Sequence, residues 1–271
     1  MADAGARAGI EVELAPLEAI LALRDDYRRE MDCQIVHDSF HARGFTDSYL
    51  LRLDGQVIGY GSVAGEPGGP REVIKEFYVL PAHRGRAAEA LRQLIAVSGA
   101  RWIEAQTNDS LLSPLLFGVA IDLGSEIILF NDALTTWHAP PRHAQDGMPN
   151  TAPDAVFRAL TVADRERVFT HTLEPVGEWG IVSGEEVFAT GGFLTHYNPP
   201  WADIFMEVAP AWRQQGCGRF LVQELKRLCY ERGLKPAARC RHDNEASRRT
   251  LQSAGMLPCA RIVRGRIEGK I

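Results

Sequence analysis

The residues best suited to chemistry lie around a short turn in the second half of the chain. This turn carries two arginines and two glycines, Arg213, Gly216, Gly218 and Arg219. An apolar strand precedes it and ends near Pro210, because proline has no amide hydrogen for a strand ladder. An amphipathic helix begins directly after it. This arrangement favours an anion such as phosphate. The reasons are the unpaired amides at a helix start, the helix dipole, glycines without Cβ atoms and guanidinium groups. The sequence has neither the Gly-x-Gly-x-x-Gly of a Rossmann fingerprint nor the Gly-Lys-Ser/Thr of a Walker loop.

The chain repeats itself weakly at an offset of 129 residues, which relates Val79 to Val208, Pro81 to Pro210 and Arg84 to Arg213. In each half a hairpin sequence is followed by a strand, an amphipathic helix, a short strand and an Asn that starts another helix. The two amphipathic helices are predicted over Ala87 to Ser98 and Cys217 to Arg232. The pattern predicts two copies of an α/β (α+β) fold, each with a mixed sheet flanked by helices.

The boundary between the copies is predicted in the segment from His138 to Pro153. This segment is rich in proline and small polar residues and has no periodicity, which is typical of a linker. We therefore expect two domains, residues 1–145 and 146–271. The alternative is a long surface loop within one large domain, which a chain of 271 residues still allows.

The composition is that of an ordinary globular protein. Hydrophobic residues make up 45% of the chain and charged residues 24%, and no apolar run reaches the ~18 residues of a spanning helix. The N-terminal sequence has no apolar stretch behind its charge, so it is not a secretory signal. Five cysteines without a Cys-x-x-Cys pair favour a reducing cytoplasm. The net charge of −5 argues against nucleic-acid binding and permits a cationic substrate.

A possible metal cluster occurs early in the chain. It consists of Asp32, His37, Asp38 and His41. Their spacing matches no standard metal site, so we expect a solvated loop and no bound metal.

The segment Arg213-Gln-Gln-Gly-Cys-Gly218 matches the Arg/Gln-x-x-Gly-x-Gly/Ala signature of the GNAT superfamily, the acyl-CoA-dependent N-acyltransferases. The preceding Met206-Glu-Val-Ala-Pro210 resembles that family's apolar strand ending in Val-x-Pro. Asn244 and Gly255 resemble its second motif, which has an Asn, a small residue three positions on and a Gly eleven positions on. The resemblance covers residues 155 to 265. Together with the repeat, it implies two tandem GNAT-like domains with mostly antiparallel sheets.

The resemblance also implies a site for acetyl-CoA. In this family the pantetheine arm enters a gap between the fourth and fifth strands, so the backbone of Met206 and Val208 is expected to bind it. Arg213 and the amides of the turn are expected to hold the pyrophosphate; these are Gln214, Gln215, Gly216, Cys217, Gly218 and Arg219. Asn244 is expected to reach the pantetheine end; its alternative role is that of a plain N-cap, and the two roles are compatible. Ser247 is either a cofactor contact or a packing residue.

The family's reaction implies that an amine attacks the thioester in a ternary complex after losing a proton to a base. The candidate bases are Glu207 and Asp203, which period two places on one face of their strand. Either carboxylate could instead pair with an arginine. The family resemblance also implies a bulge in this strand, which leaves open the face of the sheet to which each side chain points. The family often has a Tyr acid seven residues after the motif Asn, but Leu251 stands there. Tyr197 is the nearest alternative phenol, and His196 is a further candidate base. Both lie in a Pro-Pro loop that suits a substrate mouth or a packed plug.

The first half looks like a degenerate copy. Ala87 and Glu89 stand at its two glycine positions, and a carboxylate there repels a pyrophosphate. Pro114 falls at the seventh position of its second motif, where it disturbs the helix. We expect this half to bind no coenzyme A and to shape the substrate pocket.

The function expected from the sequence is acetyl transfer from acetyl-CoA to the primary amine of a small molecule, in the C-terminal domain. The enzyme is expected in the cytoplasm, as a monomer or homodimer, with no nucleic-acid or membrane partner. Two alternatives stay open at this point. One is a non-catalytic sensor or interaction protein that binds acyl-CoA, and the other is an N-acetyltransferase for a protein or peptide.

Overall fold

The computed structural model describes residues 9–132 and 154–269. The chain divides into two compact units: residues up to Glu126 and from Arg261 onward form unit 1, and Ile127–Ala260 form unit 2. Within the described ranges, no helix combines the length and the apolar character needed to cross a membrane.

The two repeats have the same order of elements, except that the first has an additional short helix before its second strand. The first consists of β1 (Ile10–Ala15), α1 (Leu21–Met31), α2 (Asp38–Ala42), β2 (Thr46–Leu53), β3 (Gln56–Ala64), β4 (Val73–Val79), α3 (Ala87–Ser98), β5 (Trp102–Gln106), α4 (Leu112–Val119) and β6 (Ala120–Asn131). The second consists of β7 (Val156–Ala159), α5 (Val162–Glu166), β8 (Trp179–Ser183), β9 (Glu186–Leu194), β10 (Trp201–Val208), α6 (Cys217–Glu231), β11 (Lys235–Arg241), α7 (Glu245–Ser253) and β12 (Leu257–Ile267).

The strands of each unit form a mixed sheet. In unit 1 they pair in the order β1-β2-β3-β4-β5-β12, and only β4 and β5 are parallel. In unit 2 the order is β6-β11-β10-β9-β8-β7, and only β10 and β11 are parallel. The predicted fold, two repeats of a mostly antiparallel sheet flanked by helices, is confirmed.

The two long amphipathic helices pack on these sheets by the residues that their periodicity selects. Phe220 and Leu221 of α6 are buried in one hydrophobic cluster with Ile204 of β10. Leu91 and Leu94 of α3 are buried in the cluster of unit 1. Both helices begin and end within one residue of their predicted bounds, because the 3.6-residue period is a local signal.

The chain passes between the units in the middle of strands. It enters unit 2 inside β6, after Glu126, and returns to unit 1 inside β12, after Ala260. Residues 127–131 of β6 pair with β11, and residues 262–266 of β12 pair with β5. Each unit therefore takes a strand from the other repeat. The boundary at residue 145 stays a prediction, because the segment from His138 to Pro153 lies outside the described residues.

This exchange of strands predicts that fragments cut at residue 145 are unstable alone. Fragment 1–145 lacks the part of β12 that pairs with β5, and fragment 146–271 lacks the part of β6 that pairs with β11. Each exposes an unpaired strand edge that favours aggregation. We expect a soluble, cooperatively unfolding product only when both fragments are co-expressed, as measured by circular dichroism during urea unfolding. Full native stability of either fragment alone would contradict this expectation.

Candidate functional site

Two strands of unit 2 part where the cofactor gap is predicted. β10 and β11 pair over only four residues, up to Ile204, whereas β10 stays paired with β9 to its end. The amide of Ala209 donates to the carbonyl of Phe188 in β9 at 2.8 Å. Because the direction of backbone N–H and C=O groups alternates along a strand, those of Met206 and Val208 point to the opposite side, into the gap. The backbone of both residues thus faces the space left by β11.

The turn after β10 has the backbone of an anion site. A 3₁₀ turn, Pro210–Trp212, leads to Gln214 and Gly216, whose φ angles of 62° and 89° lie in the left-handed region. That conformation is natural for glycine and unusual for glutamine. Gly216 is the N-cap of α6 and has no side chain to cap it. The first amides of α6 therefore have no capping partner in the helix.

Two arginines bring positive charge to this turn. Arg213 and Arg219 are both exposed, and Arg213 Nε donates to the carbonyl of Val208 at 3.2 Å. In the part of the chain that the structure describes, neither arginine has an ion pair with a carboxylate. Gln215 instead braces the turn, since its Nε2 donates to the carbonyl of Ala211 at 2.9 Å. The arrangement leaves both guanidinium charges available to an anionic ligand.

The predicted cofactor residues on α6 and α7 have clear packing roles. A Cβ at Gly218 would lie 3.0 Å from Thr250 Cγ2 and 3.4 Å from Val208 Cγ2, so glycine allows α6 to approach β10 and α7. Asn244 Oδ1 accepts a hydrogen bond from the Ser247 amide at 3.0 Å. Asn244 is therefore the N-cap of α7, the second of the two roles expected from the sequence.

Two buried residues of this region supply no acid–base group. Leu251, at the position where the family often has Tyr, packs in the hydrophobic cluster of unit 2. Burial raises the pKa of the Cys217 thiol. The thiol form is a poor nucleophile, which argues against an acyl-cysteine intermediate.

Three of the four predicted catalytic residues lie around Arg239 of β11. Asp203 is 8% exposed, and its Oδ2 lies 3.1 Å from Arg239 Nε. Arg239 Nη2 donates to Tyr197 Oη at 2.5 Å, and the rings of His196 and Tyr197 lie 4.3 Å apart. Burial raises the pKa of Asp203, and the opposing charges of Arg239 and His196 do not cancel this effect. Asp203 is thus a stronger base than an ordinary aspartate.

The fourth predicted catalytic residue, Glu207, is engaged by a loop. Its carboxylate accepts hydrogen bonds from the amides of Thr172, Leu173 and Glu174 and from the Thr172 hydroxyl, at 3.0–3.2 Å. Burial alone would raise the pKa of Glu207, but these hydrogen bonds outweigh it and lower the pKa. A carboxylate in this state is a weak proton acceptor.

The face of β10 is continuous between the two carboxylates. Pairing with β9 runs from Asp203 to Val208 without a register shift. The bulge expected from the family resemblance is therefore absent from this ladder, and Asp203 and Glu207 share one face as period two predicts.

Sequence reasoning missed the partners of these carboxylates. Arg239 carried a weak signal, because it is a charged residue within the mostly apolar strand sequence from Pro236 to Cys240. His171 and Glu174 carried none. Their loop is placed on β10 by contacts between residues more than thirty positions apart in the chain.

In unit 1 the chain itself bridges the two strands where they part. β4 and β5 pair at only two positions, the last of them Ile74 with Ile103. Ile35 donates its amide to Gln106 Oε1 at 3.2 Å and accepts from Gln106 Nε2 at 2.7 Å, and the His37 amide donates to Glu76 Oε1 at 3.2 Å. The segment 35–37 therefore bridges β5 and β4 where they part. A cavity of about 10 Å³ is left there, enough for about one water.

The turn of unit 1 has lost its free positive charge. Arg86 makes two hydrogen bonds of 2.7 Å to the Glu89 carboxylate. Arg84 pairs with Glu30 at 2.5 Å, although its Nε donates to the carbonyl of Val79, as Arg213 does to Val208. Both guanidinium groups that remain in this turn are thus neutralised within unit 1.

The loop from Asp32 to His41 is not solvated, contrary to the sequence-based expectation. The His41 side chain is 3% exposed, with Nε2 3.5 Å from Glu76 Oε2. Arg24 binds Glu76 by two hydrogen bonds of 2.7 and 2.8 Å. Burial lowers the pKa of His37 to about 4. Over residues 9–132 and 154–269, no group of three His, Cys, Asp or Glu side chains is arranged to hold a metal.

Solved structures share this fold at low sequence identity. A GNAT-family acetyltransferase from Colwellia psychrerythraea superposes with a TM-score of 0.69 at 14% identity, over 95% of this chain and 100% of that chain. A tandem GNAT protein from the clavulanic acid biosynthesis pathway, solved without AcCoA, gives a TM-score of 0.59 at 16% identity, over 97% of this chain and 100% of that chain. No curated protein sequence matches.

The sequence itself matches the model of the acetyltransferase (GNAT) family twice, over residues 17–109 and 136–256. The two matches fall on the two structural repeats and together cover most of the chain. The chain therefore belongs to the GNAT family of acyltransferases, as a member with two tandem repeats.

Proposed function

We propose that this enzyme transfers an acetyl group from acetyl-CoA to the primary amine of a small molecule, and that unit 2 carries out the transfer. The observation that carries this proposal is the contrast between the two gaps. In unit 2 the backbone of Met206 and Val208 faces the side that β11 leaves unpaired, beside a turn whose two arginines have no carboxylate partner among the described residues. In unit 1 the segment 35–37 bridges the corresponding strands through the side chains of Gln106 and Glu76.

The residues of unit 2 fit acetyl-CoA, which would supply an activated acetyl thioester. The gap-facing backbone of Met206 and Val208 suits the amides of the pantetheine arm. Arg213 and the amides from Gln214 to Arg219 suit the pyrophosphate, because the helix start and both guanidinium groups favour negative charge. Asn244 and Ser247 belong to the family's second motif. They lie at the start of α7, which is beside this turn.

Asp203 is the proposed general base. Its raised pKa brings it closer to the working range of a base at neutral pH. It takes the proton from the attacking amine nitrogen, and Arg239 stabilises the carboxylate before transfer. The Tyr197 hydroxyl accepts from Arg239 and retains its own hydrogen to donate to developing negative charge. Positioning of the two reactants supplies a further part of the rate.

A second candidate is a non-catalytic acyl-CoA sensor, favoured by Leu251 at the usual Tyr position. Thiol release from acetyl-CoA separates the two. An enzyme releases coenzyme A when supplied with L-lysine, 1,4-diaminobutane, kanamycin or a short peptide, and a sensor binds acetyl-CoA and releases none. The same panel separates a small-molecule acceptor from a peptide.

The two equivalent arginines predict a matched pair of binding results. Arg213→Ala removes a charge-assisted contact to the pyrophosphate, worth about 1.5–3 kcal/mol, and should weaken acetyl-CoA binding by about 10- to 100-fold. Arg84→Ala, the same change at the same position of unit 1, should leave affinity unchanged. Isothermal titration calorimetry measures both. Equal losses in the two variants would argue against unit 2 as the cofactor site.

The filled gap of unit 1 predicts the stoichiometry. Calorimetric titration with acetyl-CoA should give one site per chain, and Glu89→Gly should not create a second, because Ile35 still bonds to Gln106 in the gap. A second site in the wild-type chain would refute the interpretation that unit 1 is a degenerate copy that binds no coenzyme A.

Asp203→Asn tests the base. We expect kcat to fall by about 10²- to 10⁴-fold, with acetyl-CoA affinity unchanged. In the wild type, kcat/KM should fall with decreasing pH as Asp203 gains a proton, at a pH above the ordinary aspartate range because its pKa is raised. The variant should lose this decrease in kcat/KM at low pH, which is the acid limb of the pH profile. A variant that keeps wild-type kcat and the limb would exclude Asp203.

A further inference from the structure

Glu207 lies on the same strand face as Asp203, yet its surroundings give it a different task. Three successive amides, of Thr172, Leu173 and Glu174, all donate to its carboxylate, and the Thr172 hydroxyl adds a fourth donor. The side chain is about 5% exposed. A buried anion surrounded by backbone amides holds a loop in one conformation, because moving the loop leaves the charge unpaired.

Further hydrogen bonds hold the same loop on the neighbouring strand, β9. One ring nitrogen of His171, Nε2, lies 3.1 Å from Thr190 Oγ1 of β9, and the other, Nδ1, lies 2.9 Å from the carbonyl of Glu174. The Gly177 amide donates to the same Thr190 hydroxyl at 3.3 Å. The loop of residues 171–177 is therefore fastened at both ends to Thr190 of β9 and, between them, to Glu207 of β10.

The fastened loop carries Glu174 to the neighbourhood of the proposed base. Its backbone is held by Glu207 and His171, and its side chain has no hydrogen bond or ion pair with the described residues. Partial removal from water and then the negative charge of Asp203 raise the pKa of Glu174. The bond of its amide to Glu207 places Glu174 over the face of β10 that also carries Asp203.

We propose that Glu207 is a positioning residue that fastens the loop 171–177 and thereby sets Glu174 over the face of β10 that carries Asp203. The inference rests on acyl transfer in unit 2. The inference gives Glu207 a role exerted through Glu174, in place of the role of general base that the sequence suggested. The Glu174 carboxylate attracts the amine while it is still protonated, before Asp203 takes the proton.

The test compares Glu207→Gln, Glu174→Gln and their double variant in the full-length enzyme, with L-lysine, 1,4-diaminobutane and kanamycin as parallel acceptors. Both single changes should raise acceptor KM by about tenfold, change kcat by less than about threefold, and leave acetyl-CoA affinity and the acid limb intact. Because Glu207 acts through Glu174, the double variant should be no worse than the more severe single variant. Glu178→Gln, the same change at an exposed position just beyond the fastened loop, is the control.

Hydrogen exchange gives a readout that needs no acceptor. The amides of residues 172–174 should exchange at least about tenfold faster in Glu207→Gln, and at the wild-type rate in Glu174→Gln and Glu178→Gln. Unchanged exchange in Glu207→Gln would overturn the inference. So would a fall in kcat of about 100-fold with loss of the acid limb, which is the result for a base. A failure of acyl transfer in unit 2 is recognised separately, as unchanged acetyl-CoA affinity and activity in Arg213→Ala.

Discussion

The parting of a parallel strand pair is the constraint on which the rest of this structure depends. Backbone groups at the end of the fourth strand of each repeat lose their neighbour on one side and need other partners. In unit 1 the segment 35–37 lies beside this parting and bonds to side chains of both strands, Ile35 to Gln106 of β5 and the His37 amide to Glu76 of β4. In unit 2 the backbone of Met206 and Val208 is left facing the gap. The same sheet therefore gives a closed unit and one able to receive an extended ligand.

The turn that follows the fourth strand also differs between the two units, because among the described residues its arginines are paired with carboxylates in unit 1 and not in unit 2. Arg84 and Arg213 occupy equivalent positions, and each donates Nε to the carbonyl that ends the preceding strand. Arg84 also meets the carboxylate of Glu30, while Arg213 meets none in the described residues. An arginine already paired with a carboxylate has little to offer a phosphate. Closure of the gap and neutralisation of the turn thus occur together in unit 1.

Two carboxylates on one strand face acquire opposite properties from their surroundings. Asp203 is buried beside a single arginine, and its pKa is raised. Glu207 is surrounded by backbone amides, and its pKa is lowered. Neighbouring acids whose pKa values are driven apart in this way are suited to different tasks. Here the separation favours proton transfer at Asp203 and loop fastening at Glu207.

The sequence predicted features that depend on short stretches of chain. Periodicity gave the bounds of α3 and α6, and the repeat offset gave two copies of one fold. The Arg213 to Gly218 motif gave the turn, because glycine spacing and the helix start that follows it are encoded within a few residues. Asp203, Tyr197 and His196 were also named from the sequence, as residues on or before one strand.

Only the tertiary structure decided which distant residues complete these local elements. The sequence could not reveal that β12 pairs with β5 and β6 with β11, because strand pairing depends on hydrogen bonds between segments far apart in the chain. It could not assign Glu207 to the loop at Thr172, nor place Ile35 in the gap of unit 1 through Gln106, 71 residues away. A residue's type fixes the hydrogen bonds and charge that it can offer, and the packing of the whole chain fixes which partner receives them.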